Sequence, residues 1–138
     1  MIVVDTNIFI AALRSKAGAS HVILREILTG DIIAGASVAL FLEYEDVLKR
    51  KEHLKVCKLT VEDVNIVLSA LAKRLVPIHT YYQWRPVLQD PKDEMVLEAA
   101  VNAGVNTIVT FNLKDFKGAE ALGVSTMLPG EYVRRMKS

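Results

Sequence analysis

Met1-Ile-Val-Val-Asp5-Thr-Asn7 is an apolar run that stops at a carboxylate. Three consecutive branched residues, Ile2-Val3-Val4, bounded by a polar triplet, have the length and composition of a buried strand. A helical pattern follows, through Ile8, Ile10 and Leu13 as far as Arg14. Strand, carboxylate and helix in that order are what an α/β chain with a covered parallel sheet produces.

The same alternation continues along the chain. Ser20 is placed to cap a second helix, with Val22, Ile23, Ile27 and Leu28 on its apolar side and Gly30 at its end. Ile32-Ile33-Ala34 reads as the second strand. Ser37 caps a helix running to about Arg50, and Thr60-Val-Glu-Asp63 has the spacing of a capping box that opens another, to about Arg74. Val76-Pro-Ile78 is a short strand. The helix after Asp90-Pro91 reaches Ala103 and stops at Gly104. Thr107–Thr110 and Val124–Leu128 are the last strands, and Pro129 opens a terminal helix. The expected fold is a three-layer α/β/α arrangement around a mainly parallel sheet. With 138 residues and no repeat or linker, residues 1–138 are expected to form one domain.

Composition narrows the function less than the motifs do. The chain has 17 basic and 16 acidic residues, so a nucleic-acid partner would have to engage a local patch. One cysteine, Cys57, excludes an internal disulfide framework and fits a reducing compartment. Without a leader-like segment or a long uncharged apolar run, the expectation is a soluble, cytoplasmic protein with no membrane partner. His21, His53 and His79 lack metal-ligand spacing, and no serine or cysteine nucleophile pattern or glycine-rich phosphate loop is present.

Carboxylates carry the functional signal. Asp5 and the Asn112–Asp115 segment each follow a strand, at the edge where open parallel sheets bind ligands. Asp5 has a second reading, as the cap of the next helix. On the helix after Asp90, residues Glu94, Glu98 and Asn102 share a polar stripe, whereas Asp93 falls with Leu97 and Ala100 on the apolar side. A carboxylate facing inward needs hydrogen bonds or a cation; Asp93 could also serve as a cap, a role for which Asp90 competes. Glu43 and Glu45 flank opposite edges of the stripe Leu40, Phe41, Tyr44, Val47 and Leu48, and periodicity does not choose between them. Thr110, Asn112 and Asp115 bring three oxygen-bearing side chains to one strand end.

Taken in order, these segments resemble PIN-domain nucleases, including VapC-like toxins of toxin–antitoxin pairs. Asp5-Thr6-Asn7 is similar to the family's first motif, and Ser37–Leu48 to the helix whose acidic position falls on Glu43. Asp90-Pro-Lys-Asp93 resembles the third motif, and Thr110-Phe-Asn-Leu-Lys-Asp-Phe116 the fourth. Many relatives have Asp where this chain has Asn112. The resemblance implies a divalent-metal-dependent ribonuclease in which Asp5, Glu43, Asp93 and Asp115 hold one or two Mg²⁺ or Mn²⁺ ions. Carboxylate oxygens suit such hard cations. Thr6, Asn7, Asp90, Thr110 and Asn112 are expected to support those ligands.

RNA as substrate, an antitoxin partner and a homodimer follow from the same resemblance; an RNA- or protein-binding PIN module with little cleavage is the alternative. Lys92 and Lys114, beside the acidic motifs, are candidate phosphate contacts. Lys49-Arg-Lys51, Lys55 and Lys58 read as either a basic patch or a solvated helix end and loop. Tyr81, Tyr82 and Trp84 could stack on bases, cover the core or form an interface.

Overall fold

A computed structural model describes residues 1–80 and 88–137. Tyr81, Tyr82 and Trp84 lie outside the described residues.

Among the described residues, five short strands run parallel. β1 (Val3–Val4) pairs with β4 (Thr107–Val109), Val3 opposite Ile108 and Val4 opposite Val109. β4 pairs in turn with β5 (Ser125–Met127). On the other side, β2 (Gly35–Ser37) pairs with β3 (Val76–Ile78). An isolated parallel bridge between Ile2 and Ala34 joins the two ladders, with the Ile2 amide donating to Ile33 O and the Gly35 amide donating to Ile2 O, both at 2.9 Å. The resulting order, β3-β2-β1-β4-β5, reverses its direction of winding between β1 and β4.

Helices cover both faces. α1 (Thr6–Arg14) packs on α2 (Ala19–Thr29), and α2 on α5 (Val61–Arg74) and the terminal α7 (Pro129–Lys137). α6 (Pro91–Ala103) lies against β1, β2, β3 and β4. Right-handed crossovers put helices on opposite faces when winding reverses, so the expected three-layer α/β/α fold is the observed one. The core runs through Val3, Val4, Ile8, Phe9, Leu40, Leu97, Ile108 and Val109, all essentially without exposure.

Local signals place most elements. Ser37 caps α3 (Val38–Leu48) by accepting from the Leu40 amide at 3.1 Å. Thr60 and Asp63 form the reciprocal capping box of α5. Gly30 and Gly104 end α2 and α6 with φ of 88° and 68°, a conformation glycine adopts without steric cost.

Three expectations need correction. β2 lies at Gly35–Ser37, not Ile32–Ala34, and Ile33 is half exposed. The strand is placed by its ladder with Val76–Ile78, and the packing is close there: a Cβ on Gly35 would sit 2.7 Å from Ile78 Cδ1, so the Ile78 side chain would have to shift to admit one. α2 begins at Ala19 with Gly18 as its N-cap; Ser20 is buried inside it and caps nothing. α3 stops at Leu48, and the basic stretch after it forms another helix, α4 (Lys51–Cys57). Buried His53 anchors α4, its Nδ1 donating to Leu48 O at 3.0 Å.

Candidate functional site

Asp5 ends β1 at the point where winding reverses, and its amide donates to Val109 O of β4. Although it occupies the N-cap position of α1, its side chain makes no capping bond. Instead Oδ2 accepts from Thr110 Oγ1 at 2.7 Å, across the crevice between β1 and β4. Thr110 is fully buried, and the same hydroxyl accepts from the Asn112 amide at 3.0 Å. One side chain thus ties the strand end of β4 and the start of its loop to the Asp5 carboxylate. Asp5 is 6% exposed. Burial raises its pKa, the Thr110 hydroxyl and Thr6 amide oppose that, and Asp115 and Asp90 add to it.

The division of labour at the start of α6 separates cap from site. Asp90 accepts from the Lys92 amide at 2.9 Å and is the cap. Asp93, three residues further along and half-buried, is left without that role. Its pKa is pushed up to about 6, first by desolvation and then by Asp5, Asp90 and Asp115. Asp115 sits on a short 3₁₀ turn, Leu113–Phe116, which buried Phe116 anchors to the core and the Asp115 amide closes onto Asn112 O at 3.0 Å. Asp90, Asp93, Asp115, Lys114 and Lys117, with Leu88 and Gln89, line a polar cavity of about 380 Å³. A larger apolar hollow between α2 and α5, about 530 Å³ around Leu28, Ile66 and Ala70, has no carboxylate in its lining among the described residues.

Glu43 is placed differently. It points from α3 toward the start of α6, where Lys92 Nζ lies 3.4 Å from its Oε1. Two of the expected site residues are therefore paired with each other. Thr6 is buried beneath Asp5, whereas Asn7 is exposed on α1, with no hydrogen bond to the site among the described residues. Also among the described residues, no three His, Cys, Asp or Glu side chains converge on a common point suited to one ion. Asp115 adds to the raising of Asp5, and Asp5 and Asp115 add to the raising of Asp93, without forming a finished ligand set.

Residue-by-residue reading misses Tyr44. Periodicity assigns it to the apolar stripe of α3, and its ring does pack edge-on against Phe9 with centroids 4.8 Å apart. Its hydroxyl, however, donates to Val4 O, the carbonyl immediately before Asp5. The β1–β2 bridge is confined to Ile2 and Ala34, and Tyr44 satisfies the next outward carbonyl on that side of β1. A fully buried tyrosine needs such a partner, so the signal is present in the sequence, but its destination is not. The phenol, raised well above 10 by burial and by Asp5, stays protonated and keeps donating.

A sequence model of the PIN domain matches residues 1–114. The chain belongs to the PIN-domain family. The match covers Asp5, Glu43, Asp93, Thr110 and Asn112 and ends one residue before Asp115. Comparison with curated proteins finds no match. PIN domains are generally metal-dependent nucleases, and the carboxylates of this PIN domain lie at the winding reversal, where open α/β sheets bind ligands. No helix among the described residues is long and apolar enough to cross a membrane.

Proposed function

We propose that this PIN domain is a divalent-metal-dependent endoribonuclease. The observation that carries the reading is the polar cavity lined by Asp90, Asp93 and Asp115, with Asp5 among the charges that act on Asp93. Carboxylates held together against their own repulsion form a site whose electrostatics favour a cation. The donors are all hard oxygens, which fits Mg²⁺ or Mn²⁺. Asp5, Asp93 and Asp115 would hold the ion and Glu43 would complete the site. When bound, the ion supplies an acidified water and neutralises charge on the nonbridging phosphate oxygens.

The chain's own groups do the rest. Thr110 fixes the orientation of Asp5, and Asp90 fixes the first turn of α6 and hence Asp93. Glu43 accepts a hydrogen bond from the attacking water and takes its proton as the water oxygen joins phosphorus. The P–O3′ bond breaks, and the departing oxygen takes a proton from solvent to give a 3′-hydroxyl and a 5′-phosphate. Lys114 and Lys117, which line the cavity, would meet the phosphodiester. The resemblance to VapC-like toxins extends the proposal to a cytoplasmic toxin with an antitoxin partner and a homodimeric state.

One observation favours a second reading, an RNA-binding PIN module that does not cut: Glu43 is engaged by Lys92. Cleavage of a labelled RNA pool with Mn²⁺, with EDTA and Asp5→Asn as controls, decides between them. Metal-dependent cutting lost in the variant supports the nuclease. A folded protein that binds Mn²⁺ and RNA but leaves the pool intact supports the binding module.

A further inference from the structure

Among the described Phe and Tyr residues, one ring is left in water. Phe9, Tyr44 and Phe116 are buried and Phe41 and Tyr132 half-buried, whereas Phe111 is 45% exposed. It does not stand alone, since Leu113 and Leu128 are exposed as well. The Thr110 amide donates to Met127 O at 3.0 Å, which carries the β4–β5 ladder one step beyond the strands. Phe111 and Leu128 therefore leave the sheet at adjoining strand ends. Both ends belong to the carboxyl edge, where Asp5 ends β1.

The backbone around Phe111 is pinned on both sides. Before it, the Thr110 hydroxyl donates to Asp5 at 2.7 Å; after it, the Asn112 amide donates to that same hydroxyl at 3.0 Å. Two hydrogen bonds thus separate the peptide that follows Phe111 from the Asp5 carboxylate. The Asp115 amide, donating to Asn112 O, and buried Phe116 fix the rest of the loop. A ring on such a frame is preorganised, because little backbone freedom remains to be lost when something packs on it.

We propose that Phe111 is a platform on which an unpaired base of the RNA stacks, positioning the neighbouring phosphodiester over the cavity of Asp90, Asp93 and Asp115. The inference rests on RNA as the ligand of this site and adds a positioning residue to that reading.

Two features of the loop favour a nucleotide over a purely apolar partner. The first is charge. Lys114 and Lys117, further along the same loop, line the cavity, so one short segment offers an aromatic face and two ammonium groups. A nucleotide has the matching parts, a flat ring and an anion. The second is spacing. In a nucleotide the sugar stands between base and phosphate, so a base platform belongs beside the phosphate's cavity rather than in its wall. Among the described residues, the cavity lining takes Lys114 and Asp115 from this loop and not Phe111.

The test compares two labelled single-stranded oligomers of equal length, one an RNA of mixed sequence and the other built from the same sugars without bases. Both carry phosphorothioate linkages, which keep the charge and resist hydrolysis. Anisotropy titrations with Mn²⁺ across a salt series give the affinity of each for wild type, Phe111→Ala, Phe111→Leu, Phe111→Trp and Lys114→Met. Wild type should prefer the oligomer with bases. Phe111→Ala and Phe111→Leu should cut that preference about fivefold or more, and Phe111→Trp should keep it. None of the three should change the slope of log affinity against log salt, since no charge is altered. Lys114→Met should lower that slope by about 1 and weaken both oligomers alike.

A Phe111→Ala protein that keeps the wild-type preference, or weakens both oligomers equally, overturns the proposal. So does a Phe111→Leu protein indistinguishable from Phe111→Trp, because apolar bulk would then suffice. Sedimentation showing self-association that Phe111→Ala abolishes, with RNA binding unchanged, would make the patch an interface between copies and overturn the platform. Melting curves check that each variant is folded, and Phe111→Leu retains apolar bulk if alanine disturbs the loop. Wild type that binds neither oligomer overturns the ribonuclease reading and the platform with it; wild type that binds both alike overturns the platform alone.

Discussion

Replacing Asp93 by Asn should stabilise the metal-free protein at neutral pH. The carboxyl has a folded pKa of about 6 against 3.8 in the unfolded chain. Between those values the folded state binds a proton that the unfolded state does not, so stability is greatest below 3.8, falls as pH rises, and levels off above about 6. At about 1.4 kcal/mol per pH unit this corresponds to about 3 kcal/mol as an upper bound. Asp93 is only half-buried, so solvent screens its repulsion with Asp5, Asp90 and Asp115, and about 1 kcal/mol is the reasonable remainder. For a chain of this length that is a rise of about 3 °C in Tm. Melts in EDTA at pH 7.5 and pH 4 provide the assay, because the amide introduced by Asp93→Asn carries no charge at either pH. The expected gain appears at pH 7.5 and vanishes at pH 4; Mn²⁺ then reverses the ranking by stabilising wild type more. An Asn variant no more stable than wild type at pH 7.5, or a gain that persists at pH 4, would refute the electrostatic reading of the site. A substitution that removes a proposed ligand and yet stabilises the fold is the usual mark of a residue kept for function.

Two further substitutions examine how Asp5 is held. Thr110→Val removes the only side-chain donor to the buried Asp5 carboxylate among the described residues, which should cost about 1.5–3 kcal/mol and reduce Mn²⁺ affinity about tenfold or more; melts and calorimetry unchanged from wild type would contradict the role given to that hydroxyl. Tyr44→Phe keeps the packing on Phe9 but leaves the Val4 carbonyl without its donor, with an expected loss of about 1–3 kcal/mol, measured by denaturant unfolding. A neutral result would mean that another donor or a water reaches that carbonyl.

Local chemistry makes much of the molecule legible. Capping at Ser37, Thr60 and Asp90 depends on residues within three positions of one another, so it can be read from a short stretch. Helix ends at Gly30 and Gly104 depend on a single residue's backbone freedom. The expectation that Asp93 falls with Leu97 and Ala100 on α6 uses about 100° per residue alone. β2 escapes such reading because its ladder partners, Val76–Ile78, are distant in sequence, and a local hydrophobicity pattern does not report which residues pair.

The sequence by itself determined the α/β alternation, the parallel sheet and the three aspartates at strand and helix ends, because period, capping and turn chemistry are properties of neighbouring residues. Only the tertiary structure decided which carboxylates meet and what holds them. The Thr110–Asp5 hydrogen bond spans 105 positions, Tyr44 reaches 40 positions back to β1, and Glu43 faces Lys92 across two helices. Side-chain charge and hydrogen bonding act over a few ångströms in space, and the order β3-β2-β1-β4-β5 sets which distant residues come within that range.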